Sequence, residues 1–165
     1  MTTAWVPLAE ITLTSTDSEI TFGSIPQTYR DLIVVFQGGN TGAAANIYQK
    51  LNSDATTSNY SSVQMTGTGS SALSSSPSGG ATWTVTFYGY LEQNLNANVI
   101  VQLQDYSATD KHKTYLSRSN SASNGLSAIA GRWADTSAVT SISWTVSSGE
   151  FRIGSTFALY GSNKL

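Results

Sequence analysis

Cysteine is absent from the 165-residue sequence. Its absence excludes a disulfide framework, a thiol nucleophile and a Cys-ligated zinc site. Charge is also scarce, at 11% of residues, against about 25% in an ordinary soluble domain. With a net charge of −2, the chain has no basic footprint for nucleic acid. A single histidine, His112, cannot build a multi-His metal site. Long apolar runs are missing: the longest, Leu32–Phe36, is far too short for a membrane-spanning helix. The opening stretch MTTAWVPLAEITL has neither a basic region nor a continuous apolar segment, so it does not read as a signal peptide.

What fills the chain is serine and threonine, together more than a quarter of the residues. Such a surface is neutral and rich in hydroxyls. It loses less on desolvation than a charged one, so it is suited to burial against a partner. The same composition also fits any all-β protein with Thr on its strands and Ser in its loops.

Period-2 alternation dominates, and no segment keeps a 3.6 period with caps. In 82–91, TWTVTFYGYL, Trp83, Val85, Phe87 and Leu91 share one face, and Thr82, Thr84, Thr86, Tyr88 and Tyr90 the other. Alternation recurs in 8–13 (Ala9, Ile11, Leu13), 99–104 and 139–146 (Ile142, Trp144, Val146). The run LIVVF, 32–36, is apolar on both faces and reads as a central strand covered on both sides. Further strands are expected at 18–22, 46–51, 113–119, 127–133 and 156–161. About ten short strands separated by turn residues predict an all-β sandwich or barrel in a single domain, with an antiparallel, jelly-roll-like sandwich as the favoured form. Residues 53–80, dominated by Gly, Ser and Thr, read as a surface excursion within it.

No motif carries catalysis. Gly154-Ser155-Thr156 lacks the Lys and the following helix of a phosphate loop, and the flanks of a nucleophile elbow. It reads as a turn feeding a closing strand that returns Phe157 and Leu159 to the core. A Ser-His-Asp triad would have to use His112, which sits in the polar stretch DYSATDKHKTYLSRS, 105–119. Asp105 and Asp110 lack the regular spacing of a calcium loop. Carboxylates fall mainly at turns and strand ends, not in an evident pair. No cofactor is implied. The candidate contact residues are therefore polar and aromatic: Tyr88 and Tyr90, opposite the Trp83 face; Lys111, His112, Lys113 and Arg118, in the most polar stretch; and Arg132 with Trp133. A flat aromatic beside hydrogen-bonding groups suits a glycan. Against this, Trp83, Trp133 and Trp144 have the size and setting of core residues.

Five segments carry a resemblance. They are PLAEITLTSTDSEITFGSIPQTYRDLIVVFQG (7–38), LNSDATTSNYSS (51–62), DYSATDKHKTYLSRS (105–119), GRWADTSAVTSISW (131–144) and FRIGSTFALYG (151–161). Together they resemble a group of small β-rich virion proteins of tailed bacteriophages. The middle of the chain, 63–104, fits that group only loosely. The resemblance implies a structural protein of the phage particle, assembled in the bacterial cytoplasm and released by lysis, with no catalytic residues to transfer. The role it favours is capsid decoration or cement, with capsid proteins and sister copies as partners. A homo-oligomer is expected, a trimer around a capsid axis being one form. The alternative is a tail-fibre or receptor-binding module for host surface glycan. No nucleic acid and no membrane insertion are expected in either role.

Overall fold

The computed structural model describes residues 5–76, 83–86, 91, 93, 96–121 and 125–163. Twelve strands are present among them: β1 (Trp5–Thr12), β2 (Glu19–Phe22), β3 (Asp31–Gly38), β4 (Ile47–Leu51), β5 (Tyr60–Gly67), β6 (Ala72–Ser75), β7 (Trp83–Thr84), β8 (Ala97–Gln104), β9 (Lys113–Ser121), β10 (Gly125–Trp133), β11 (Ile142–Val146) and β12 (Thr156–Ser162). They form an eight-stranded sheet, ordered β1-β12-β3-β8-β9-β10-β5-β6, and a four-stranded sheet, ordered β2-β11-β4-β7. Every strand pairing is antiparallel.

The order contains a jelly roll. The quartet β1-β12-β3-β8 faces β2-β11-β4-β7, the chain crosses between sheets at nearly every step, and the first strand lies beside the last. Two insertions, β5-β6 and β9-β10, then prolong the first sheet past its partner. The expected all-β sandwich is thus present, with more strands than the sequence indicated.

Between the sheets lies an aromatic core. Phe36 of β3 contacts Phe157 of β12, Phe151 and Trp144 of β11, with ring centroids 4.8, 5.7 and 6.2 Å apart. Phe157 also meets Phe151 edge-on at 5.0 Å. Tilted and edge-on pairs are the arrangements favoured by aromatic quadrupoles. Trp144 stays buried because its indole N–H donates to Gln49 Oε1 at 2.7 Å.

Four local expectations differ from the structure. Strand β1 slips register between Pro7 and Ala9, a β-bulge. Leu8 therefore joins Ile11 and Leu13 against the core, while Ala9 is exposed. On β3, Leu32, Val34 and Phe36 are buried, but Ile33 and Val35 on the other face are only half-buried. The strand is central, as expected, yet covered on one side. Among the described residues of 82–91, Trp83–Thr84 is a strand, and Val85 and Thr86 are both buried, which breaks the alternation. Tyr88 and Tyr90, and the side chain of Trp83, lie outside the described residues. Finally, 53–80 is not mere loop: Thr57–Asn59 forms a 3-10 turn, and β5 and β6 extend the large sheet.

The closing turn behaves as the sequence indicated. Gly154, at φ 82°, permits the reversal, Ser155 N donates to Arg152 O, and β12 inserts between β1 and β3. The hydroxyl of Ser155 caps nothing, however: it is buried beside Gly38 without a hydrogen-bond partner.

Candidate binding surface

The candidate residues fall into two places. Lys111, His112, Lys113 and Trp133 lie at one end of the sandwich, where the segments 52–59, 105–113 and 133–141 meet. There the polar groups close the fold. Asp54 Oδ2 accepts from Trp133 Nε1 at 2.6 Å and Asn59 Nδ2 at 2.8 Å, and Oδ1 accepts from Thr56 N at 2.9 Å. Burial acts to raise the Asp54 pKa. The hydrogen bonds from Asn59, Trp133 and Thr56 outweigh it and hold the carboxyl at about 2. Tyr60 donates to the Asp54 carbonyl and accepts from Leu51 N, and its burial pushes its pKa up to about 12.

Lys113 and Trp133 are therefore corrections to the contact set. Both are fully buried. The Lys113 ammonium donates to the carbonyls of Lys111 and Thr136, at 2.9 and 3.2 Å, and so ties two loops together. Desolvation lowers its pKa, against the fields of Asp135, Asp110 and Asp105. Neither side chain is free to touch a partner. Lys111 and His112 remain exposed, with Lys111 Nζ 3.5 Å from Asp105. Among the described residues, no three His, Asp or Glu side chains gather as a metal cluster.

The second place is the outward face of the large sheet. Cα register aligns side chains across it in rows. One row runs Glu10, Ala158, Val35, Ile100, Arg118, Ala128, Met65. The next runs Pro7, Tyr160, Ile33, Gln102, Leu116, Ala130, Val63. In these two rows the only charged residues are Glu10 and Arg118.

The inserted strands are amphipathic in the unusual sense. Strands β9, β10 and β5 turn Ser117, Ser119, Ser127, Gln64 and Thr66 inward, where all are buried. Ser117 donates to the Val85 carbonyl at 2.6 Å, and the hydroxyls of Ser119 and Ser127 meet at 2.7 Å. Outward they turn Leu116, Val63, Leu126 and Met65, exposed by 50, 56, 57 and 62%. Isolated exposed apolar residues are ordinary, but a contiguous set is a mark of an interface. Between them runs a groove of about 500 Å³, floored by Ala128 and Ala130 and flanked by Leu116, Arg118, Val63 and Met65.

Of the predicted contact residues that are described, Arg118 alone sits in this groove. Arg132 is exposed on the same face, paired in register with Thr114 toward the loop end. The apolar members were missed because SSVQMTG is read as loop chemistry. The alternation of Val63 and Met65 against Gln64 and Thr66 was the available signal, with the polar residues facing inward.

No family model matches the chain, and no curated protein matches it. Among solved structures, the marine PL-14 alginate lyase from Aplysia kurodai aligns at 8% identity with a TM-score of 0.39. The alignment covers 84% of this chain and 70% of that one. A likeness this distant carries no argument about activity.

Proposed function

We propose that the chain is a non-enzymatic surface protein of a bacteriophage particle, a capsid decoration or cement protein that binds the shell through neutral β surface. The observation that carries this reading is the inverted extension of the large sheet. Strands β9, β10 and β5 bury hydroxyls and present Leu116, Leu126, Val63 and Met65 to a partner. An apolar, nearly uncharged face gains free energy when covered, at roughly 25 cal/mol per Å² of apolar surface removed from water, and leaves few charges to desolvate. The resemblance of the five segments to phage virion proteins supplies the kind of partner. Asp54, Tyr60, Lys113 and Asp135, whose surroundings shift their pKa at the loop end, are engaged in holding loops, which favours a non-catalytic role.

The test is binding to emptied capsids of the source phage, with antibody labelling of intact particles. The expected result is saturable binding and label spread over the shell. Label confined to the tail, with no retention on empty shells, would overturn the reading. The glycan alternative loses Trp133 to the core and rests on Tyr88 and Tyr90.

A further inference from the structure

We infer that two copies of this chain associate face to face through β1, β12, β3, β8 and β9, about a two-fold axis that runs along β3 over Val35. The inference goes beyond the shell-binding reading and does not rest on it, since it concerns the chain alone in solution.

The argument starts from the row Glu10, Ala158, Val35, Ile100, Arg118. Glu10 and Arg118 are exposed, and among the described residues neither makes an ion pair. Each stands two strands from Val35, on opposite sides. At about 4.8 Å per strand, they lie roughly 19 Å apart. A two-fold axis along β3 carries position +2 to −2 in the same row. It therefore sets Glu10 of one copy over Arg118 of the other, and the reverse, so both charges are paired by one operation.

The same operation matches the neighbouring row. Pro7 lies over Leu116, Tyr160 over Gln102, and Ile33 over itself. The phenol and the amide are hydrogen-bonding partners, and the rest is apolar. Five strands at that spacing, over some six residues of length, give about 450 Å² in plan on each copy. Side-chain relief adds to this, which puts the contact near the lower limit of stable interfaces, about 1,000 Å² in total.

A rival centre is the groove on β10, where the apolar side chains are most exposed. An axis along the strands between β9 and β10 would lay Arg118 beside its own copy, with no carboxylate in either row near enough to answer it. Like charges juxtaposed in a desolvated interface weaken association by roughly a hundredfold or more. The centre on Val35 avoids that cost and gives each guanidinium a carboxylate. It also leaves Val63, Met65 and Leu126 uncovered for a different partner. The arrangement is two-fold, unlike a trimer around a capsid axis.

Sedimentation equilibrium of the full chain, with no shell present, tests the inference. The wild type is expected to dimerise at micromolar concentration. Glu10→Arg alone and Arg118→Glu alone should each weaken dimerisation by about a hundredfold, because each sets like charges together. The double variant E10R/R118E should recover to within about tenfold of the wild type, since the pair is re-formed with its signs exchanged. Met65→Glu, outside the contact, should leave the dimer unchanged. Both charged positions are exposed, and unchanged melting curves show that the variants fold. A wild type that stays monomeric up to about 100 μM overturns the inference. So does a dimer indifferent to both single reversals, a double variant as weak as the singles, or a dimer abolished by Met65→Glu.

Discussion

At the residue scale, the loop end shows how few polar groups a nearly uncharged chain needs to hold its fold. Asp54 collects donors from Trp133, Asn59 and Thr56. Its carboxyl ionises at about 2 when folded, below the ordinary 3.8 of an aspartate carboxyl. A depressed folded pKa contributes stability that is present above the unfolded value and lost as pH falls through the folded one. Stability should therefore decline between about pH 4 and pH 2, by about 1–2 kcal/mol once partial solvation of the loop is allowed for. Asp54→Asn should flatten that decline, as denaturant melts at stepped pH would show. Trp133→Phe removes one donor, so it should move the acid transition upward. Ser155 is the opposite case. Its hydroxyl is buried and unpartnered, so Ser155→Ala should be neutral or stabilising by up to about 1 kcal/mol. Gly38→Ala should instead destabilise, because its Cβ would stand 2.3 Å from that hydroxyl. A loss of thermal stability in Ser155→Ala would show that the hydroxyl has a partner after all.

At the element scale, β12 is the strand to cut. It lies between β1 and β3 and places Phe157 and Leu159 in the core. Truncation before Phe157 should abolish cooperative unfolding, since it splits β1 from the sheet and empties the aromatic cluster at about 3–5 kcal/mol for that side chain alone. An unchanged melting transition in the truncated chain would contradict this. That strand was legible because Phe157 and Leu159 alternate with Ala158 and Tyr160 after a glycine that must turn. The all-β sandwich class was legible for the same reason, repeated across strands such as β8 and β11, whereas the jelly-roll strand order was not, because alternation carries no information about which strands pair. The extension was not. Most residues of strands β5 and β6 are Ser, Thr, Gly or Gln, whose local preferences are those of loops, and pairing with β10 overrides them. The burial of Lys113 was equally hidden. Its carbonyl partners come from Lys111 and from Thr136, and the second is near only once β9 and β10 are paired. The surface reading failed where the usual rule inverts, with serines inside and Met65 outside.

At the scale of the whole molecule, stability and the proposed association fall on different parts. The aromatic core and the loop clasps hold the sandwich, whereas the outward residues of β9, β10 and β5 contribute little to folding because they are exposed in it. A charge placed there should spare the fold and abolish binding. Met65→Glu, on a side chain 62% exposed, should change unfolding free energy by no more than about 0.5 kcal/mol. On emptied capsids the same change should cut affinity by tenfold or more, since a carboxylate in a covered apolar face is desolvated without a partner. Binding through Val63, Met65 and Leu126, which carry no charge, should persist as salt is added, since salt screens charge contacts and not apolar ones. If Met65→Glu binds shells like the wild type, the extension does not face the capsid. The apolar outward face would then need another occupant.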